Sequence, residues 1–258
     1  MYCSVRGQGP NLVMLHGWSM HSGVWHALAD RLSAHFTLHL VDLPGHGLSD
    51  WQQGDFELET ILDWMAAELP EHAYFLGWSL GGLISLALAE RYPERVEKLV
   101  LLAATPCFTQ RDNWPNAMLS TVFQHFEKQL KQDQAETLQQ FLLLQARGSS
   151  QSKQTMKAFA AKMAEVGEAN SEALVAGLSL LMNLDMRPAL SALSCPCLLL
   201  LGERDTLIPA AMADDARVLN VKLVTEVITG AGHAPFISHA DECEQAISEF
   251  ILQGQQHV

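Results

Sequence analysis

Positive charge is scarce in this chain. Its 258 residues hold 16 Lys and Arg against 29 Asp and Glu, a formal net charge of −13. Such a balance repels a phosphate backbone and argues against a nucleic-acid partner. Long apolar runs are also missing. No stretch approaches the ~18 uncharged apolar residues of a membrane-spanning helix, so no membrane partner is expected. The start, Met1-Tyr2-Cys3-Ser4-Val5-Arg6, lacks the basic segment and apolar core of a signal peptide. Cysteine is sparse and odd in number, with five residues, and Cys195-Pro196-Cys197 is the single close pair. That pair sits in a strand-like apolar setting. Reduced, buried thiols in a cytoplasmic protein are expected, rather than disulfides or a metal or redox centre. Internal repeats and low-complexity tracts are absent, and the tail from Gln253 to Val258 is expected to fray.

What is present is a chain 48% hydrophobic, long enough for one large α/β domain with room for an insertion. Six apolar runs stand out: 11–15, 36–41, 74–76, 99–103, 197–201 and 221–228. Most are continuous rather than alternating, which indicates strands buried on both faces, as in a parallel sheet covered by helices. Helical stretches such as 24–34 and 56–69 lie between them. This is the doubly wound α/β pattern. The alternation is interrupted from about Phe108 to Asn183, where only amphipathic helical sequence is found. The expected organisation is a core of residues 1–107 and 184–258 with a helical cap at 108–183. An insertion at the carboxyl end of a parallel sheet overhangs the crevice where such sheets bind ligands.

Gly77-Trp78-Ser79-Leu80-Gly81 follows the third run and precedes the helical stretch from Leu83 to Ala89. A G-x-S-x-G between strand and helix makes a sharp turn that exposes the serine hydroxyl. The pentapeptide alone arises by chance in roughly one chain in ten of this length, so its partners matter. A serine becomes a nucleophile when a histidine takes its proton and a carboxylate orients that histidine. Asp205 lies just after the fifth run and His233 just after the sixth, in the order serine, acid, base. Glu203 and Asp42 compete for the acid role. His239, His46 and His16 compete for the base, the last two reading as structural. The expected oxyanion donors are the backbone amides of Leu80, which follows the serine, and Trp18, in the loop after the first run. The Trp18 indole is also expected to wall the acyl pocket. No cofactor or metal is expected, and a monomer is.

Taken together, His16-Gly17-Trp18, Asp42-Leu43-Pro44-Gly45-His46-Gly47-Leu48-Ser49, Gly77 to Gly82, Gly202-x-x-Asp205 and Gly232-His233-Ala234-Pro235-Phe236 resemble the α/β-hydrolase superfamily over essentially the whole chain. The chain is similar more closely to the carboxylesterases of biotin synthesis. These hydrolyse the methyl ester of a pimeloyl-acyl carrier protein. Four stretches carry this likeness: 76–83, 36–45, Pro106-Cys107-Phe108 and 234–239. It implies a serine carboxylesterase whose pocket is lined by cap residues from Phe141 to Gln145, with an acidic carrier protein as partner. A carrier would dock on positive charge. Residues 108–183 hold seven basic and seven acidic residues, and residues 128–162 alone are net +4. Arg147, Lys153 and Lys157 are the candidate docking residues. The resemblance places docking arginines near positions held here by Glu136 and Gln140, a departure. Two other readings stay open: another hydrolase of this fold, such as a broad esterase, a thioesterase or a C–C bond hydrolase, and a non-catalytic ligand-binding protein.

Overall fold

The computed structural model describes residues 1–253. The fraying expected of the tail falls, from residue 254 onward, outside the described residues. Seven strands form one sheet: β1 (Tyr2–Gly7), β2 (Asn11–Leu15), β3 (Thr37–Asp42), β4 (Ala73–Trp78), β5 (Val96–Leu102), β6 (Cys197–Gly202) and β7 (Val224–Ile228). Their order in the sheet is β1-β3-β2-β4-β5-β6-β7, with every pair parallel except β1–β3. The helices are α1 (His26–Leu32), α2 (Leu58–Glu68), α3 (Leu80–Arg91), α4 (Ser120–Leu130), α5 (Gln134–Ala146), α6 (Ser152–Val166), α7 (Ser171–Asn183), α8 (Arg187–Ala192), α9 (Met212–Leu219), α10 (Pro235–Ser238) and α11 (Ala240–Leu252).

The continuous apolar runs are explained by two hydrophobic layers. Successive strand residues point to opposite faces, so a run buried on both sides feeds two cores. Val13 and Leu15 enter one cluster with α2, α3 and α9, while Leu12 and Met14 enter the other with α1 and α11. In β6, Cys197, Leu199 and Leu201 face the first cluster, and Leu198 and Leu200 the second.

Three expectations change in detail. β1 went unread because Tyr2-Cys3-Ser4-Val5-Arg6-Gly7 is a short, partly exposed edge strand with polar residues mixed in. The region from Phe108 is not helical from its start: the first helix after β5 begins at Ser120. Residues 109–118 form a loop bridged at Thr109–Met118 and Arg111–Trp114. The last strand is shorter than its run, since Val221 and Leu223 lie in a turn before β7. None of the helices among the described residues is long and apolar enough to cross a membrane. All five cysteines are free thiols, and burial pushes those of Cys3 and Cys195 up to about 11. No group of three or more His, Cys, Asp or Glu among the described residues is placed to hold a metal.

Candidate active site

The chain turns sharply between β4 and α3, and Ser79 sits at the corner with φ 54° and ψ −115°. A non-glycine residue in the left-handed region is strained by about 1–3 kcal/mol, which surrounding structure must offset. The flanking glycines make that turn possible through close approach. A Cβ on Gly77 would collide with the backbone of Gly81, and one on Gly81 with the carbonyl oxygens of Leu15 and His16 in β2 and the loop after it. Ser79 N–H donates to Leu102 O (3.0 Å), which fixes the corner on β5.

Asp205 and His233 come from the loops after β6 and β7, at the same sheet edge as Ser79. His233 Nδ1–H donates to Asp205 Oδ2 at 2.7 Å, and Ser79 Oγ lies 3.1 Å from His233 Nε2. A carboxylate only accepts, so the proton resides on Nδ1 and leaves Nε2 free to take one from the serine hydroxyl. Asp205 Oδ1 accepts from Leu207 N (2.8 Å) and Ile208 N (3.0 Å), which locks the carboxylate in orientation. The side chains of His233 and Asp205 are 1% and 0% exposed, so their contact is shielded from solvent competition.

The competing groups are engaged elsewhere. Glu203 accepts from Gly230 N (2.8 Å) and steadies the loop that carries His233. Asp42 accepts from Ser22 N and Leu48 N. His239 contacts Ser238 Oγ at the junction of α10 and α11. His16 accepts at Nε2 from Leu43 N (2.9 Å) and donates from Nδ1 to Gly17 O (2.8 Å), joining the loops after β2 and β3. Burial pushes the imidazoles of His16 and His46 down to about 3.

The backbone N–H groups of Trp18 and Leu80 are buried, and among the described residues neither has an intramolecular acceptor. Leu80 opens α3, so its N–H also lies at the positive end of a helix dipole. These are two donors available to a developing negative charge.

A narrow cavity opens onto Ser79 and His233, lined by Phe108, Met118, Phe123, Phe141, Leu181 and Leu207. Phe141 is among the residues that line it and Gln145 is not. Gln145 is buried nearby in α5 with its Nε2 unpartnered among the described residues. The Trp18 indole stands one row back. It packs edge-on to Phe141 (4.6 Å) and donates to Leu174 O (2.8 Å), so it braces the wall rather than forming it. Phe123 and Leu181 were invisible as lining residues because amphipathic helices mark a buried face without saying what it covers. Leu207 was within reach, two residues after Asp205. Arg147, Lys153 and Lys157 are exposed, the two lysines one turn apart on α6. Glu136 and Gln140 are paired with each other on α5 (3.1 Å).

Comparison with known proteins agrees with this geometry. Residues 10–240 match the alpha/beta hydrolase fold family. The chain is 43% identical over 253 residues to a pimeloyl-[acyl-carrier protein] methyl ester esterase of Xylella fastidiosa, covering 97% of this chain and 98% of that one. A protein of the same name from Xanthomonas oryzae pv. oryzae is 41% identical over 251 residues, with the same coverage. Among solved structures, an esterase from Exiguobacterium antarcticum superposes with a TM-score of 0.87 at 24% identity, covering 97% of this chain and 94% of that one. A bromoperoxidase from Bacillus anthracis superposes with a TM-score of 0.89 at 19% identity and the same coverage, a likeness of fold alone. The sheet order, the strained serine at the end of β4 and the near-full-length identity thus agree, and the chain belongs to the alpha/beta hydrolase fold family and, within it, to the family of the pimeloyl-[acyl-carrier protein] methyl ester esterases.

Proposed function

We propose that this protein is a serine carboxylesterase that hydrolyses the methyl ester of a pimeloyl-acyl carrier protein, acting in the cytoplasm on biotin synthesis. The observation that carries the chemistry is the chain of contacts from Ser79 Oγ through His233 to Asp205, beside two unpartnered amides. The observation that favours the substrate is the 43% identity over 97% of the chain.

In this reading Ser79 Oγ attacks the ester carbonyl while His233 Nε2 takes its proton. The carbonyl oxygen becomes an oxyanion held by the Leu80 and Trp18 N–H groups. Asp205 keeps the imidazole in the right tautomer and stabilises the imidazolium that forms. Collapse of the intermediate breaks the bond to the methoxy oxygen, which leaves as methanol with the proton from His233. Water, deprotonated by His233, then attacks the acyl-enzyme. The second collapse returns the proton to Ser79 and releases the pimeloyl carboxylate. The apolar cavity suits the uncharged ester end of a chain. Arg147, Lys153 and Lys157 are the proposed contacts for the acidic carrier.

The test is Ser79→Ala. It is expected to fold as the wild type does, and to lose turnover of a short-chain p-nitrophenyl ester by on the order of 10⁵-fold or more. Retained turnover sinks the assignment of Ser79. Complementation of a biotin auxotroph that lacks the esterase tests the substrate. Failure of the wild type there, with ester turnover intact, would favour a broad short-chain esterase.

A further inference from the structure

We propose that Trp78 is a positioning residue for the base, and that Phe159 of α6 holds Trp78 in place. This rests on the reading of His233 as the base. A general base works only while its ring stays aligned with both nucleophile and acid. Asp205 fixes the ring at Nδ1, but the His233 backbone lies in the loop between β7 and α10, which contains Gly230 and Gly232. That backbone has its own anchor. Trp78 Nε1–H donates to His233 O at 2.8 Å, both groups buried.

Trp78 is the last residue of β4 and is bonded directly to Ser79. One side chain therefore ties the backbone of the base to the backbone of the nucleophile. The same indole reaches a third part of the site. A Cβ on Gly17 would lie 2.9 Å from Trp78 Cε3, so the loop that presents the Trp18 amide rests against the indole. Nucleophile, base and oxyanion loop thus share one rigid plate.

The plate is itself held. Phe159 stacks on it, with centroids 5.9 Å apart and planes 14° from parallel. Phe236 meets it edge-on at 5.0 Å. Phe159 is 0% exposed and arrives from α6, the helix that carries Lys153 and Lys157. The strand-to-helix turn demands glycines at 77 and 81 but leaves position 78 free. The hydrogen bond to His233 O accounts for an indole there, because no other apolar side chain carries an N–H donor.

The experiment measures p-nitrophenyl acetate hydrolysis by Trp78→Phe, Phe159→Leu and the control Trp25→Phe, each well below its own unfolding temperature. Trp78→Phe keeps a ring and loses the donor. Its kcat is expected to fall about 10- to 100-fold while KM stays within about twofold. Phe159→Leu is expected to lower kcat about 3- to 10-fold with KM again unchanged. Trp25 belongs to the same aromatic cluster, and its Nε1 has no partner among the described residues, so Trp25→Phe is expected to leave kcat intact. The decisive comparison repeats Trp78→Phe in a His233→Ala background. A residue that acts through His233 then has nothing to act on, and the residual rate should not drop further. The proposal is overturned if Trp78→Phe keeps kcat within about twofold of the wild type, or if it costs the His233→Ala enzyme the same factor as the wild type. Should Trp78→Phe not fold, Phe159→Leu carries the same two comparisons. High activity in His233→Ala alone would instead refute the base assignment.

Discussion

At the scale of single residues, the site is an arrangement of constraints on protons. Ser79, Asp205 and His233 were legible as candidates because each follows a strand and lies within three residues of a glycine, in an order that few chains show by accident. What the sequence hid was the support around them. Glu203 looked like a rival acid and instead braces the His233 loop through Gly230 N. Trp18 looked like a pocket wall and instead buttresses Phe141. Such roles depend on contacts between residues far apart in sequence, which spacing does not encode. His16 and His46 have a measurable consequence. Burial holds both imidazoles neutral, down to about 3, whereas an unfolded histidine binds a proton near 6.5. Below about 6.5 the unfolded chain therefore takes up protons that the folded chain refuses, and stability falls as pH falls toward about 3. Urea unfolding between pH 7.5 and 5 should show this decline. His46→Gln should flatten its slope by up to one proton, about 1.4 kcal/mol per pH unit.

At the scale of elements, the central strands were legible and the edges were not. β4 and β6 are buried on both faces, so their runs are unbroken and unmistakable. β1 pairs on one side alone and mixes Ser4 and Arg6 with Tyr2 and Val5, which leaves no pattern of either period. The helices between β5 and β6 were legible as helices, but not in how each divides its faces. α7 shows why. Asn170 caps it, accepting from Glu172 N (2.9 Å) and Ala173 N (3.2 Å). Its inner face then supports the Trp18 indole through Leu174 O and lines the cavity through Leu181. Asn170→Ala should cost about 1 kcal/mol, read as a lower urea midpoint and as faster amide exchange in the first turn of α7.

At the scale of the whole molecule, charge is unevenly placed. The chain is −13, yet residues 128–162 are net +4, with Lys153 and Lys157 exposed on α6. If an acidic carrier docks there, Lys153→Glu with Lys157→Glu should raise KM for the carrier-bound ester about tenfold. The same double variant should leave KM for p-nitrophenyl acetate unchanged. The wild-type preference for the carrier-bound ester should also weaken with added salt, since exposed charges are screened beyond about 10 Å at 0.1 M. The cavity carries the opposite message. Apart from Ser79 and His233, its lining is hydrocarbon and one thioether: Phe108, Met118, Phe123, Phe141, Leu181 and Leu207. Substrate and product differ there by a single methyl group, but the first is neutral and the second an anion at neutral pH. Apart from the two amides of Trp18 and Leu80, an anion stripped of water against such a lining meets no polar or charged partner, so the acid binds more weakly than the ester. The pocket then works as a turnstile that reads the outcome of its own reaction. Millimolar free acid of a short-chain ester substrate should leave the rate untouched, while the corresponding neutral ester competes.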